Sequence, residues 1–596
     1  MPLGAQTQIT LAADPQGVIQ PFNYRSVRLA PSRLRDQYQQ TRDYYLAIPN
    51  DDLLKGFRER AGLPAPGQDM GGWYSGNDRG QTFSQGDFFH MFGQWLSAFS
   101  RMGRATGDEA MREKAESLMT EWAATIQPDG YFFFSRHPNA PHYIYDKMCG
   151  GLVDMAEYLG SREALSYLEI ITHWAVKNLD RTRVPASYED FVGAGPQRQS
   201  EWYTLSENLY RAYQLTNDPR YRDFAQVWHY TTFWGNLANG KDAFLQKHAY
   251  SHVNALSSAA MAFAVTGERQ YFDAIANGYR LLWDHHLYAT GGYGPEERFR
   301  PRGGSLGEWL DPDMYEFLGF TFEVPCGSWA GFKLSRYLMS FTGAAHYGDW
   351  IERLVYNGIG AALPMTGRGR TFYNASYMMT GAFKTYDTQP WACCSGTYPL
   401  AVADYHNLIY FKDAGGIYVN LFVPSEVKWE KDGAKVTVIQ ETMFPEMGST
   451  ALTVCTKTPV EFALRFRVPG WATQDVSVSL NGQAVPVSAT PGQWAEFRRV
   501  WRDGDTLCAT LPMRLSFVPV DELHPHRAAL MMGPVVLVAD HGPQLEGDQY
   551  DPASWIVPTG ESLTFRVRNE SPQRTFRPFF QVGQGVPYTM YLDITQ

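Results

Sequence analysis

The sequence predicts a mainly α-helical fold, an (α/α)6 toroid barrel, followed by C-terminal β-sandwich modules. Two observations support this prediction: a helical hairpin recurs through the first two thirds of the chain, and the apolar pattern changes to period two after about Asp413. The length of 596 residues leaves room for several domains. With 44% apolar and 19% charged residues, the composition is that of an ordinary globular chain.

Five helical hairpins share a short turn that contains glycine or asparagine. Each arm carries apolar residues at i, i+3, i+4 and i+7, so one face of every helix must be buried against a neighbour. A sixth hairpin is expected from Arg33 to Ala61 or from Tyr398 to Tyr410, and six would close into a ring; an open helical solenoid is the alternative. The turns are Thr106–Asp108, Leu159–Ser161, Thr216–Asp218, Thr266–Glu268 and Thr342–Ala344.

The region after Asp413 alternates apolar and polar residues, is rich in Val, Thr and Phe, and is divided by Gly, Pro and Asn-Gly turns, which is typical of a β-sandwich. A further strand-rich stretch follows it. The predicted domains are an N-terminal tail (1–24), a barrel catalytic domain (25–415), a β-sandwich (416–515) and a second small β-rich module (516–596).

The composition also limits the classes of molecule that the protein is expected to bind. The net charge is −10 and the pI about 5.8, which argues against nucleic-acid binding. No apolar run approaches the roughly 18 residues that a membrane span needs. Aromatic residues make up 15% of the chain, which suits a large core and clefts that stack on sugars. The oligomeric state is open, with a homodimer as one option, and so is the compartment: cytoplasmic, or periplasmic or secreted if a signal has been removed.

A candidate metal site is formed by Glu323, Cys326, Cys393 and Cys394. Three thiols and one carboxylate are ligands that tetrahedral zinc accepts. Two alternatives are three buried thiols that act as small apolar groups and a vicinal disulfide. A metal-held thiolate is a positioned nucleophile, and a facing carboxylic acid would complete the two-residue arrangement of a retaining glycosidase.

Several segments resemble glycoside hydrolase family 127 and its relatives, the β-L-arabinofuranosidase-like clan. The resemblance spans roughly residues 70 to 540. It is carried chiefly by Thr290–Gly292, Gly307–Glu308, FEVPCGSWA (Phe322–Ala330) and WACCSGT (Trp391–Thr397).

The resemblance implies an (α/α)6 barrel with β-sandwich modules and a zinc ion held by Glu323, Cys326, Cys393 and Cys394. It implies that Cys393 is the nucleophile and that Glu308 is the general acid/base. The activity it implies is removal of L-arabinofuranose from β-linked oligosaccharides with retention of configuration. His142 and His252 match positions that contact the sugar.

The sequence departs from the family pattern in four places. The metal motif is E-x-x-C where E-x-C is usual, Trp391 replaces a histidine, Glu201-Trp202 replaces Gly-His, and the loop 294–304 is longer. Glu296 or Glu297 therefore competes with Glu308 for the acid role. Trp391 and Tyr377 are additional candidates for contacts with the substrate.

The predicted function is that of an exo-acting retaining glycosidase for furanosides, using a zinc-bound cysteine nucleophile and a glutamate acid/base on an oligosaccharide or glycoside substrate. One rival hypothesis is a carbohydrate-binding barrel protein without catalysis. Another is a sugar lyase or epimerase on the same barrel, since a fold does not determine a function.

Overall fold

The computed structural model describes residues 14–75, 89–105, 107–136, 138, 140–183, 201–301, 305–315, 319–473 and 475–595. The α-helices of this part of the chain are α1 (Arg33–Leu46), α2 (Asn50–Ala61), α3 (His90–Ala105), α4 (Glu109–Ala123), α5 (Pro141–Leu159), α6 (Arg162–Asn178), α7 (Leu205–Thr216), α8 (Pro219–Val227), α9 (Thr231–Ala238), α10 (Ala249–Thr266), α11 (Arg269–His285), α12 (Ser305–Glu308), α13 (Val324–Thr342), α14 (Gly348–Asn357), α15 (Cys394–Ala403) and α16 (Tyr405–Leu408).

Six helices form a closed inner ring. The helices α3, α5, α7, α10, α13 and α15 each pack on the next, and α15 packs back on α3. The outer layer consists of α4, α6, α8, α11, α14 and α1, which pack against the inner helices. The predicted toroid is therefore confirmed over an open solenoid. Its sixth pair takes α15 from one of the two predicted segments and α1 from the other.

The hairpin turns have the capping residues that the sequence indicates. Gly160, Gly267 and Gly343 follow α5, α10 and α13 with φ of 75°, 70° and 69°, the left-handed conformation that ends a helix without a Cβ clash. Asp108 and Asp218 cap α4 and α8 by accepting backbone N–H bonds from Met111 and Arg220. These short turns return the chain so that inner and outer helices alternate.

The strands are β1 (Gln20–Pro21), β2 (Val27–Leu29), β3 (Phe322–Glu323), β4 (Asn374–Ala375), β5 (Ala382–Phe383), β6 (Tyr410–Asp413), β7 (Gly416–Val419), β8 (Ser425–Lys431), β9 (Ala434–Thr442), β10 (Ser449–Thr456), β11 (Val460–Arg467), β12 (Ser477–Leu480), β13 (Gln483–Val485), β14 (Trp494–Trp501), β15 (Thr506–Thr510), β16 (Leu515–Pro519), β17 (Arg527–Met532), β18 (Val535–Ala539), β19 (Gln544–Glu546), β20 (Ile556–Pro558), β21 (Phe565–Val567), β22 (Thr575–Pro578), β23 (Pro587–Tyr588) and β24 (Tyr591–Thr595).

Two sheets form the sandwich behind the barrel. One has the order β1-β6-β7-β11-β14 and the other β13-β12-β15-β10-β9-β8-β2, so the strands β1 and β2 at residues 20–29 belong to the sandwich. The sheets meet through Trp429 and Phe462, whose ring centroids are 5.3 Å apart. The predicted Asn-Gly turn joins β12 to β13 with positive φ at both Asn481 and Gly482.

A third sheet, β19-β24-β17-β18-β22-β21-β20 with β16 beside β17, follows the sandwich. It is attached to the barrel by Asn357 at the end of α14, which donates to Pro534 O and accepts from Val536 N, both at 2.8 Å. Among the described helices, none has both the length and the apolarity that a bilayer span requires.

Candidate functional site

The N-terminal ends of the inner helices meet at one mouth of the barrel. The rings of His90 at the start of α3 and Tyr143 in the first turn of α5 lie 4.9 Å apart. Tyr143 Oη is 3.1 Å from Tyr250 Oη on α10. His248, which caps α10, is 3.4 Å from Glu201 just before α7. Side chains from distant hairpins therefore converge here.

Glu323, Cys326, Cys393 and Cys394 form a compact cluster at this mouth. Cys326 Sγ lies 3.7 Å from Cys393 Sγ and 3.3 Å from Cys394 Sγ. Cys394 Sγ is 3.5 Å from Glu323 Oε1. Glu323 ends β3 and caps α13, while Cys393 caps α15, so two helix starts supply the whole cluster.

The chemistry of this donor set fits a bound cation. Tetrahedral thiolates on zinc, with Zn–S of about 2.3 Å, are separated by about 3.8 Å, close to the distances found here. Glu323 Oε2 is buried and has no hydrogen-bond partner among the described residues. The extra residue of the E-x-x-C spacing does not separate Glu323 from Cys326, because β3 leads directly into α13.

Burial favours the protonated forms of the cluster residues. Burial raises the pKa of Cys326 and Cys394 well above the ordinary thiol value. The contact with Cys326, followed by burial, does the same for Cys393. Burial, and after it the charge of Glu297, raises the pKa of Glu323 to about 8. A cation would reverse these shifts by compensating the buried negative charge.

A second carboxylate, Glu297, lies beside the cluster. Its Oε2 is 3.4 Å from His248 Nε2, and ligand atoms of Glu297, His248 and Glu323 all lie within 4.8 Å of one another. Glu296 and Glu297 both have positive φ, 52° and 61°, in a Gly-Pro loop. Two consecutive non-glycine residues in this conformation are strained, and such strain is found preferentially at functional sites.

His248 lies between two carboxylates. Its Nδ1 is 3.0 Å from Ser251 Oγ and 3.4 Å from Glu201 Oε1. Burial by itself would lower the pKa of His248, but the contact with Glu297 and the charges of Glu201 and Glu323 raise it to about 9. The imidazole therefore supplies positive charge to an otherwise acidic mouth.

Glu308 does not lie beside the thiol cluster. Its side chain is exposed at the end of α12. The adjacent Gly307 is held by the third sheet: its N–H donates to Asp521 at 2.6 Å and its carbonyl accepts from Arg527 at 2.7 Å. Within the described chain, no hydrogen bond or ion pair joins Glu308 to the cluster.

The two predicted sugar-binding histidines are buried among aromatic rings. His142 packs 5.1 Å from Trp228, and burial lowers its pKa to about 4. His252 is fully buried in the first turn of α10, with its Nδ1 2.9 Å from His248 O and its ring 4.5 Å from Tyr203.

The two predicted aromatic contacts are also enclosed. Trp391 is 4% exposed, donates its Nε1–H to Met70 O at 3.1 Å and packs against Trp95. Tyr377 is fully buried, with its hydroxyl 2.8 Å from Thr290 Oγ1. Both side chains are packed in the interior of the protein.

Sequence reasoning missed several residues at this mouth, namely His248, Tyr143 and Tyr250, and it noted Glu201 only as a departure. The available signal was the start of α10, where His248 is the N-cap residue.

A closed helical ring with β-sheet domains and a thiol–carboxylate cluster at one mouth defines the class of this protein, an α/α-barrel protein. The model of the β-L-arabinofuranosidase GH127 catalytic domain matches residues 26–407, and that of the GH127 middle domain matches residues 416–513. The chain therefore belongs to the glycoside hydrolase family GH127, as the sequence predicted.

The chain is also similar to individual known proteins. A non-reducing end β-L-arabinofuranosidase of Bifidobacterium longum subsp. longum is 23% identical over 297 residues, which cover 46% of this chain and 43% of that protein, less than half of its length. A solved GH127 β-arabinofuranosidase superposes with a TM-score of 0.73 at 19% identity, covering 98% of this chain and 99% of that one. A GH127 β-L-arabinofuranosidase from Geobacillus stearothermophilus T6 gives 0.70 at 19% identity, covering 96% and 100%.

Proposed function

We propose that this protein is an exo-acting retaining glycosidase that hydrolyses β-L-arabinofuranosides, with Cys393 as the nucleophile and Glu297 as the acid/base. The observation that carries the proposal is the convergence of a partly exposed cluster thiol and a second carboxylate at one mouth of the barrel. Family membership supports the choice of arabinofuranosides.

The proposed metal is zinc, held by Glu323, Cys326, Cys393 and Cys394. When bound, zinc would keep the thiols ionised at neutral pH and hold the nucleophilic sulfur in place. Thr397 lies outside the cluster, and its Oγ1 is 2.9 Å from Cys326 Sγ. This contact would hold the Cys326 side chain in the orientation that binds the metal.

Cys393 is the best-suited nucleophile of the three thiols. Cys326 and Cys394 are fully buried, whereas Cys393 is half-buried and so remains accessible from the mouth. It also caps α15, and the positive end of a helix favours a thiolate.

Glu297 is better suited to proton transfer than Glu308. Ligand atoms of Glu297 and Glu323 lie within 4.8 Å of each other, so Glu297 is beside the thiol cluster. His248 would orient the carboxyl group of Glu297 through the 3.4 Å contact. Glu308 faces solvent beside the third sheet.

The reaction would proceed in two displacements. Cys393 Sγ attacks the anomeric carbon, the bond from that carbon to the leaving oxygen breaks, and Glu297 gives its proton to that oxygen. Glu297 then takes a proton from water, whose oxygen attacks the same carbon while the carbon–sulfur bond breaks. Two inversions give overall retention, and the thiolate is restored.

Turnover of an aryl β-L-arabinofuranoside tests both roles. Cys393→Ser should abolish turnover, and Glu297→Gln should lower kcat about 10²- to 10⁴-fold, the usual contribution of a general acid. Glu308→Gln is the matched control for the acid, and Cys149→Ser, a buried cysteine of α5, is the control for the thiol. Loss of activity in Glu308→Gln but not in Glu297→Gln would contradict the assignment, as would an inverted product by NMR.

A further inference from the structure

His248, Glu297 and Glu323 form a second group of metal-ligating side chains beside the thiol cluster. One ligand atom of each lies within 4.8 Å of the ligand atoms of the other two. The distance from His248 Nε2 to Glu297 Oε2 is 3.4 Å, which matches the separation of about 3.4 Å between two ligands of a tetrahedral zinc ion with bonds of about 2.1 Å. The three residues come from the start of α10, the loop after α11 and β3, so folding of the barrel brings them together.

Glu323 has a carboxylate oxygen that the thiol cluster does not engage. Its Oε1 lies 3.5 Å from Cys394 Sγ, whereas its Oε2 is buried and has no hydrogen-bond partner among the described residues. The residue is 3% exposed, so bulk water does not satisfy this oxygen. In two-metal sites the ions lie about 3.5–4 Å apart, a distance that the two oxygens of one carboxylate can bridge.

Asn374 lies next to Glu323 and supplies a neutral oxygen. The two residues are directly opposite each other in the antiparallel pair of β3 and β4, so their side chains project from the same face. The Oδ1 of Asn374 is also buried without a hydrogen-bond partner in the described part of the chain. Two neighbouring acceptor oxygens that lack donors are the arrangement that a cation satisfies.

His248 has the surroundings of a metal-binding histidine. Its Nδ1 is 3.0 Å from Ser251 Oγ and 3.4 Å from Glu201 Oε1, while its Nε2 lies on the side of Glu297. A histidine that binds a metal through one nitrogen commonly donates the other N–H to a carboxylate, which fixes the ring and strengthens the metal bond. Glu201 occupies a position where the family pattern has glycine, so this outer carboxylate is a feature of the present chain.

The group carries more negative than positive charge. Over the ranges that the structure describes, no lysine or arginine forms an ion pair with Glu201, Glu297 or Glu323, and the ion pairs of Glu201 and Glu297 are with His248. Zinc in the thiol cluster would add to the imbalance, because three thiolates and one carboxylate on a divalent ion leave a net charge of about −2. A second cation would compensate this buried charge.

We propose that His248, Glu297 and Glu323 form a second zinc site, with Glu201 as its outer carboxylate. An imidazole and two carboxylates favour zinc over magnesium, which prefers sites made of oxygen ligands and water. Because the site contains no thiolate, it binds zinc more weakly than the thiol cluster does and fills when zinc is in excess.

A cation at this site would inhibit hydrolysis. It would occupy the carboxylate of Glu297, which then could not give a proton to the leaving oxygen or take one from water. This consequence rests on the proposed function. The site itself does not, because binding of the ion is independent of what Glu297 does in the reaction.

Equilibrium dialysis of the purified protein against increasing concentrations of zinc, followed by elemental analysis, tests the site. Bound zinc should rise by about one ion per chain above the content of the protein as purified. Glu297→Gln and His248→Gln should show no such rise, and Glu201→Gln should weaken the binding about 10- to 100-fold. Glu308→Gln, the same substitution at an exposed glutamate, is the matched control and should bind the added ion as the wild type does.

Turnover of an aryl β-L-arabinofuranoside over the same zinc series measures the consequence. We expect kcat to fall by half at the zinc concentration that half-fills the second site. Glu201→Gln should shift both midpoints upward by the same factor. Magnesium at equal concentration should neither bind nor inhibit.

Two outcomes would overturn the second site: no rise in bound zinc, or a rise that Glu297→Gln and His248→Gln both retain, which would place the added ion elsewhere on the protein. Failure of the proposed function gives a different result. A second ion that is lost in both variants but leaves turnover unchanged would support the site and contradict the role of Glu297 in proton transfer. Binding of the second ion to a protein that does not hydrolyse the glycoside would also support the site.

Discussion

Replacing Arg467 by methionine should destabilise the junction between the barrel and the sandwich. Arg467 ends β11 with no exposed side-chain surface, and its Nε donates to Asn420 O at 2.9 Å. Its guanidinium also pairs with Asp349 and, at 2.7 Å, with Glu352, both on α14. One side chain thus compensates two carboxylates across the junction.

The magnitude follows from the burial of these groups. The side chain of Glu352 is 1% exposed and that of Asp349 is 14% exposed, so water cannot replace the lost guanidinium. Asp349 would keep the N–H of Gly470 and Glu352 the indole N–H of Trp471, which are neutral donors. Removing one partner of such a buried pair costs about 3–5 kcal/mol.

Urea denaturation followed by tryptophan fluorescence measures this cost. The control is Arg498→Met on β14, whose side chain is 47% exposed and pairs with an exposed Glu496, so its loss should cost less than about 1 kcal/mol. Adding Glu352→Gln to Arg467→Met should recover part of the stability. If Arg467→Met unfolds within about 1 kcal/mol of the wild type, the ion pairs at the junction do not stabilise it as the structure indicates.

Two further predictions concern stability. Burial lowers the pKa of His406 to about 4. When the pH is lowered from about 6.5 to about 4, only the unfolded chain therefore gains a proton at this residue. The free energy of unfolding should decrease by about 3 kcal/mol as the pH is lowered across this window. His406→Gln should flatten that part of the pH profile, and an unchanged slope would refute the assignment. Asn357→Leu removes two interdomain hydrogen bonds and should cost about 2–4 kcal/mol by urea denaturation, while a cost near zero would show that the third sheet is held by other contacts.

The barrel was predictable because the residues that determine each hairpin lie close together in the sequence. An amphipathic helix and a turn residue with positive φ, glycine or Asn217, recur in the five hairpins, and capping side chains such as Asp108 begin several of the second helices. The sixth pair was harder to predict, since α1 and α15 are separated by most of the barrel sequence and meet only when the ring closes.

The site was predictable only in part. Glu323, Cys326 and the cysteine pair stand out because their side-chain chemistry is unusual. The position of Glu297 depends instead on two consecutive left-handed residues that turn the loop toward His248, and no periodicity in the sequence encodes that turn. The orientation of Glu308 depends on Arg527 of the third sheet and Asp521 in the loop before it, which bind the neighbouring Gly307.

The metal content of the purified protein tests the proposed centre most directly. We expect about one zinc ion per chain by elemental analysis, lost in Cys326→Ser and retained in Cys149→Ser, because the four ligands lie on two adjacent helix starts. A wild-type protein without metal, or a Cys326→Ser variant that keeps its zinc, would contradict the proposed centre and, with it, the role of Cys393.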